Sequence, residues 1–191
     1  MIKNTSFLDQ NEIAEIGFKS VGKNVFISRK ASFYSPEKMI IGDQVRIDDF
    51  VILSGTITLG SYIHISAYSA CYGSEGIEMQ DFSGLSPRVT VFSATDDFSG
   101  KYMVGPMLPA ECTNIISGKI IIEKFVQVGT GSVILPKITL GEGSAVGALS
   151  LVTNNSEPWK IVAGVPAKII KSRSENLKNI HRTFKQQFNC L

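Results

Sequence analysis

A period of six residues constrains this chain more than any other feature of its sequence. Apolar residues recur at Val21, Ile27 and Phe33, then at Ile41, Ile47, Leu53, Leu59, Ile65 and Cys71. They continue at Met79, Leu85 and Val91, and again at Ile116, Ile122, Val128, Ile134, Leu140, Val146 and Val152. Four residues after each leading residue the side chain is usually small or β-branched, as at Val45, Val51, Ser69, Ser83, Val126, Ser132 and Ser150. Six matches neither the 3.6-residue turn of a helix nor the two-residue alternation of a strand. It matches a short strand followed by a tight turn, repeated. Three such units close a triangular coil, and successive coils stack as parallel strands about 4.8 Å apart. The leading residues then point into the prism and the small residues fill its corners. Glycine often comes directly after the leading residue (Gly22, Gly42, Gly60, Gly129, Gly141, Gly147), where it is expected to relieve the turn.

The interruptions are as informative as the repeat. Two steps, Phe33 to Ile41 and Cys71 to Met79, take eight residues instead of six. They fall 38 residues apart, which is two coils plus the two inserted residues, so both bulge at one edge of the prism. A longer excursion, about residues 92–115, is rich in Gly, Pro and Asp and lacks the period. A loop of that length inside a regular solenoid is usually functional. The ends read as caps that cover exposed strand edges. Residues 8–16 suggest a short helix stopped by Gly17. Ser172 and Glu175 have capping-box spacing ahead of an apolar stripe of Leu177, Ile180, Phe184 and Phe188. The expected organisation is an N-terminal helical cap over 1–19, the β-prism over 20–171 and a C-terminal helix over 172–191.

Composition narrows the setting. Nineteen Lys+Arg stand against 17 Asp+Glu, a net charge of +2. That balance gives no electrostatic case for nucleic acid or an anionic membrane. No apolar run approaches the roughly 18 residues needed to span a bilayer. The N-terminal residues MIKNTSFLDQNEIAEIG lack the apolar core of a signal peptide. Cys71, Cys112 and Cys190 are an odd number without metal-ligand spacing, which suits a reducing compartment. The expectation is a cytoplasmic protein with no nucleic-acid partner, no membrane span and no metal.

The segments VGKNVFISRKA, IGDQVRIDDFVIL, VGTGSVILPKITLGEGSAVGALSLVT and IVAGVPAKIIK carry a resemblance over about residues 20–171. The chain resembles the hexapeptide-repeat acyltransferases, whose fold is a left-handed parallel β-helix. The placement of its loop is similar to that in sugar and chloramphenicol O-acetyltransferases and in N-acetyltransferases of nucleotide-sugar pathways. The resemblance implies a homotrimer, acetyl-CoA as acyl donor along the groove between two prisms, and a sugar or nucleotide-sugar acceptor under the long loop. In the O-acetyltransferases a base histidine follows a stretch like V-T-x-x-T-A-T. Here the stretch is VTVFSATDD, and the matching position is Asp96.

Acyl transfer needs a proton acceptor, a donor for the oxyanion and a carrier held in line. The chain has two histidines. His181 falls on the C-terminal helix, where it reads as a solvated or packing residue. His64 directly precedes the inward Ile65, so it faces outward from a coil. The resemblance places His64, Ser66 and Tyr68 at the acceptor pocket, with His64 as base or as the group that orients the thioester, against a plain turn histidine. Asp96 and Asp97 would orient His64 from a neighbouring subunit or hold the acceptor's amino group or hydroxyls. Glu75, on the second bulge, would reach the same pocket. For the acyl carrier, Gly129, Gly147 and Ala148 expose backbone groups to an extended pantetheine arm. Lys168 suits a phosphate, with Lys171 and Arg173 close in sequence. The leading expectation is transfer of an acetyl or short acyl group to the amino group of a nucleotide-linked deoxyamino sugar in surface polysaccharide synthesis. O-acetylation of a sugar or small molecule and a non-enzymatic β-helix scaffold are the alternatives.

Overall fold

The computed structural model describes residues 6–188. Cys190 and the outermost residues of both expected caps lie outside that range. The chain winds into a left-handed parallel β-helix with three faces. The first face stacks Ser20–Val21, Met39–Ile41, the second half of Ile52–Leu59, the second half of Ala70–Met79, Ile120–Ile122 and Thr139–Leu140. The second stacks Phe26–Ile27, Arg46–Ile47, His64–Ile65, Gly84–Leu85, Gln127–Val128, Ala145–Val146 and Lys160–Ala163. The third stacks Ser32–Tyr34, the first halves of Ile52–Leu59 and Ala70–Met79, then Thr90–Phe92, Val133–Ile134 and Leu151–Val152.

The leading residues form the core. From Ile41 through Val91, and from Ile122 through Val152, each is at most 3% exposed. Three expected positions differ. Val21 is 37% exposed and Phe33 only half-buried, because the first coil has no coil beneath it. Ile116 is not inward at all: it is 46% exposed, on a short antiparallel strand of the loop, and the coil resumes at Ile120. The buried corner serines are satisfied by the chain itself. Ser69 Oγ donates to the Ser86 carbonyl at 3.0 Å, and Ser132 and Ser150 both donate to Gly147 O.

The corners turn on a different residue from the one the sequence suggests. Three positions after the leading residue, φ is positive at Gly131 and Gly143 but also at Gln44, Phe50, Tyr62, Tyr68, Phe82, Arg88, Phe125, Lys137 and Leu149, none of which is glycine. Each of these nine holds a left-handed conformation that costs roughly 1–2 kcal/mol. Coil-to-coil hydrogen bonds hold these residues in place: Tyr62 N donates to Asp43 O at 2.9 Å, Phe82 N to Ser61 O at 2.9 Å, and Leu149 N to Thr130 O at 2.8 Å. The glycines after the leading residues answer another need, close approach between coils. A Cβ on Gly129 would lie 2.6 Å from Ala148 N, and one on Gly147 would lie 2.7 Å from Ala163 Cβ.

Because the corner residues project outward in register, their rings stack. Tyr62 and Phe82 lie 4.7 Å apart and Phe125 continues the column at 5.5 Å, along the corner between the first and second faces. On the next corner Phe50 stacks on Tyr68 at 4.9 Å. The N-terminal helix α1, Gln10–Glu15, is capped by Asp9 in a capping box with Glu12 and ends at Gly17, which has φ +83°. After the last coil the chain reverses through Lys168–Ser172, antiparallel to Lys160–Ala163. Ser172 therefore lies in a strand and caps no helix. Helix α2 begins later, at Leu177, and runs to Phe188. It lies along the first aromatic column, with His181 4.9 Å from Phe82 and 5.1 Å from Phe125, and Phe184 5.5 Å from Tyr62.

The Nε2 of His181 is enclosed there and has no hydrogen-bond partner among the described residues. Burial holds its pKa below the ordinary value of 6.5, the positive charges of Lys124 and Lys185 add to this, and Asp81 opposes it. The folded protein thus favours the neutral ring, and its stabilising contribution is complete above pH 6.5 and lost as pH falls below it. Helix α2 is expected to loosen on acidification through that range. The fluorescence of Trp159, whose ring lies 4.8 Å from Lys178 Nζ of the helix, reports it. His181→Phe is expected to abolish this pH dependence.

Candidate functional site

Two outward columns run up the second face, one on either side of the inward residues. Before them come Arg46, His64, Gly84, Gln127 and Ala145. After them come Asp48, Ser66, Ser86, Gly129, Gly147 and Ala163. From Ser66 upward the second column is made only of small side chains, so it forms a shallow track. The α2 helix and the Tyr62–Phe82–Phe125 column border the face on one side. The exposed Phe50–Tyr68 stack borders it on the other, with Arg88 Cζ 5.6 Å above the Tyr68 ring.

His64 stands at the lower end of this face, half-exposed, opposite Arg46 on the coil below. Its Nε2 lies 2.7 Å from Asp48 Oδ2. The other oxygen of Asp48 accepts from Arg46 Nε, also at 2.7 Å. The Asp48 side chain is only 18% exposed, much less than either partner. Partial burial alone pushes its carboxyl up, but the hydrogen bonds from Arg46 and His64 more than offset this and hold it below the usual carboxylate value. Ser66 follows on the same strand end, and Ser86 lies one coil above it. Ser86 N donates to Val128 O, and its carbonyl takes the Ser69 hydroxyl.

The upper end of the track holds the residues expected for the acyl carrier. Gly129 and Gly147 occupy successive coils, with the exposed Ala148 at the adjoining turn. Ala163 pairs with Lys168 of the closing hairpin, so an exposed lysine marks the end of the column. From His64 to Lys168 is five strand spacings, about 24 Å. Arg173 is not part of this end. Its Nη1 donates to the carbonyls of Phe125, Gly143 and Ser144 at 2.9–3.1 Å, tying the last segment to the prism.

The long loop leaves from the opposite side, the corner between the third and first faces. The two eight-residue steps bulge at this same corner, the first as the 3-10 turn Pro36–Lys38, the second around Gly73–Gly76. The loop's base is a short hairpin, Ala94–Asp96 paired with Ile115–Ser117. Asp97 closes it: Oδ1 accepts from Ser99 N at 2.7 Å, Oδ2 from Asn114 Nδ2 at 2.9 Å. Hydrogen bonds from Ser99 and then Asn114 hold its carboxyl below the usual range. Asp96 is half-buried beside it, opposite Ile115 in the hairpin, and its carboxylate engages no hydrogen bond among the described residues. Glu75 sits on the second bulge, whose backbone is tied to the loop base through Glu75 N and Ser93 Oγ at 3.0 Å.

The structure thus brings the expected residues together in two groups. His64, Ser66, Gly129, Gly147, Ala148 and Lys168 share the second face, with Tyr68 on its border. Glu75, Asp96 and Asp97 share the loop corner, with the whole third face between the groups. No hydrogen bond or ion pair among the described residues links the loop to the second face. Beyond Met107, which is 94% exposed, the loop also presents Phe98, Tyr102 and Met103 to solvent. Among the described residues no cluster of three or more His, Cys, Asp or Glu is placed to hold a metal ion, and no helix is long and apolar enough to cross a membrane. The core thiol of Cys71 is pushed up to about 12 by burial, which leaves it unreactive.

No family model matches the chain. Against individual proteins the likeness extends over nearly its full length. It is 44% identical over 183 residues to a dTDP-4-amino-4,6-dideoxy-D-glucose acyltransferase from Escherichia coli, covering 94% of this chain and 95% of that one. It is 48% identical, with a TM-score of 0.96, to AntD, an N-acyltransferase from Bacillus cereus solved with dTDP and 3-hydroxybutyryl-CoA; 97% of this chain and 100% of that one are covered. AntD has also been solved with single substitutions of a serine or an aspartate. A hexapeptide-repeat acetyltransferase from Vibrio cholerae, 20% identical with a TM-score of 0.57, covers 88% of this chain and 83% of that one and shares the fold. With two relatives above 40% identity across both chains, a prism wound in hexapeptides and a loop at one corner, this chain belongs to the hexapeptide-repeat acyltransferases.

Proposed function

We propose that this enzyme transfers a short acyl group from acyl-CoA to the 4-amino group of a dTDP-linked 4-amino-4,6-dideoxyhexose, a building block of a surface polysaccharide. The full-length match to an N-acyltransferase solved with dTDP and an acyl-CoA carries the reading. The second face suits the donor. Pantetheine lies extended on the small-residue column, paired with backbone groups at Gly129, Gly147 and Ala148, and Lys168 meets a phosphate at the far end. The thioester then reaches Ser66, Ser86 and His64.

The serine and the aspartate substituted in AntD stand ten positions apart. Ser86 and Asp96 are the one serine–aspartate pair with that spacing in this chain. Ser86 offers a hydroxyl to the reacting thioester. Asp96 holds the acceptor's amino group, with Glu75 on the neighbouring bulge, while Asp97 keeps the loop in shape. His64 takes the proton as the amine attacks, and Tyr68 borders the sugar. Because the third face separates Asp96 from His64, one prism cannot bring both to one substrate. A second copy supplies the loop, so the enzyme works as a homotrimer with a site at each interface, in the cytoplasm where its donor is made. The apolar loop tip fits this role, since a neighbouring subunit would cover it.

Incubation with acetyl-CoA or 3-hydroxybutyryl-CoA and dTDP-4-amino-4,6-dideoxyglucose is expected to release free thiol in step with loss of the amine. Thiol release with hydroxy sugars but not with the amino sugar would overturn N-transfer. His64→Ala is expected to lower kcat by ~10²-fold or more, the scale of a lost general base. Full activity in that variant would pass the base role to another group.

Light scattering at micromolar concentration is expected to give three times the 20.8 kDa chain mass; a monomer would sink the interface site. Replacing residues 93–113 by a short linker is expected to abolish turnover and leave the thermal melt of the prism in place. A melt lost along with activity would make the loop structural.

A further inference from the structure

The least exposed member of the charged cluster on the second face is not the histidine but the carboxylate beneath it. Asp48 divides its two oxygens between Arg46 Nε and His64 Nε2, each at 2.7 Å. The register sets this geometry. Arg46 pairs directly with His64 across adjacent coils, and Asp48, two residues after Arg46, reaches the ring diagonally. Without Asp48, a guanidinium and an imidazole would face each other across adjacent strands with no counter-charge between them. With it, a carboxylate oxygen faces Nε2, which favours the proton on that nitrogen and the lone pair on Nδ1.

We propose that Asp48, itself tethered by Arg46, is a positioning residue that fixes the tautomer and orientation of His64 so that Nδ1 receives the proton of the attacking amine. This inference rests on the reading of His64 as base. The amine nitrogen forms a bond to the thioester carbonyl carbon, and its proton passes to His64 Nδ1. The C–S bond then breaks with its electron pair on sulfur. His64 returns the proton to the thiolate, leaving amide and free CoA thiol with the ring restored. Arg46 and Asp48 are the charged groups facing His64 from the strand below. The strand above brings Gly84 and Leu85 and no charge. Asp48 touches neither substrate in this scheme and acts through the ring alone.

The test is a double-mutant cycle in the full-length protein, with dTDP-4-amino-4,6-dideoxyglucose and acetyl-CoA as substrates. Asp48→Asn is expected to lower kcat roughly 10-fold or more, a part of what the base itself supplies, while both KM values and the melting temperature stay near those of the parent. Asp48→Glu, which keeps the charge, is expected to recover part of the loss. In the His64→Ala background, Asp48→Asn is expected to cost nothing further, because the residue it serves is gone. Equal losses in both backgrounds, or a loss that tracks the melting temperature, would overturn the positioning role. So would full kcat in Asp48→Asn when His64→Ala is impaired. If His64→Ala is itself fully active, it is the reading of His64 as base that fails, and the two failures are told apart.

Discussion

The prism depends on the hydrogen bond that crosses each corner from one coil to the next. A left-handed residue such as Tyr62 or Phe82 is unfavourable on its own, and bulky side chains pay the full steric cost. Its N–H, however, points straight at a carbonyl of the coil below, and its φ lets the chain turn about 120° within a few residues. The corner is therefore stable only on a template. Once it forms, the inward residues fall into register, the corner serines find carbonyls, and the exposed rings stack. The hydrophobic core and the two aromatic columns both follow from that one contact.

The same geometry explains why the second face can serve as a site. Strands in a prism alternate in and out, so each inward residue is flanked by two outward ones. Repetition turns these into columns about one coil apart, and any chemical choice made every 18 residues becomes a line on the surface. Small residues at one column position make a track for an extended ligand. A histidine and an aspartate offset by one coil and one column meet with no loop needed to bring them together. In the proposed arrangement rigid strands hold the donor while a long loop meets the acceptor, so that binding geometry and substrate identity come under separate control.

The inward positions were legible because burial imposes the strictest pattern, one apolar residue in every six. The outward residues obey no such pattern, and there the sequence said less. His64 and the glycine column could be placed because each sits next to an inward residue. Asp48 could not be singled out from its neighbours, since Asp43 and Asp49 are equally common corner carboxylates. Its meeting with His64 appears only when the chain is wrapped at one coil per turn. Ser86, one hydroxyl after an inward leucine, carries no mark in the sequence that sets it apart. The glycines directly after the leading residues misled in another way: glycine suggests a positive φ, but there it marks tight coil contact, and most left-handed positions carry other side chains, with glycine only at Gly131 and Gly143 among the corners. Ile116 followed the period by coincidence, because a hairpin strand of the loop continued the spacing across a break. Ser172 and Glu175 had capping spacing that the closing strand overrode.

Each insertion into the six-residue step leaves the prism at one corner: a short 3-10 turn, a four-residue bulge, and then the long excursion over about residues 92–115. Residues on either side return to the same rows, and the second face never registers the difference. That corner is the molecule's designated place for change. What grows there can be lengthened, shortened or rewritten without disturbing the small-residue track on the second face, much as a tool keeps its handle while its blade is exchanged. Under the proposed site, a change of acceptor then has a physical direction, since it can be made at one edge of the prism while the opposite wall keeps its rows.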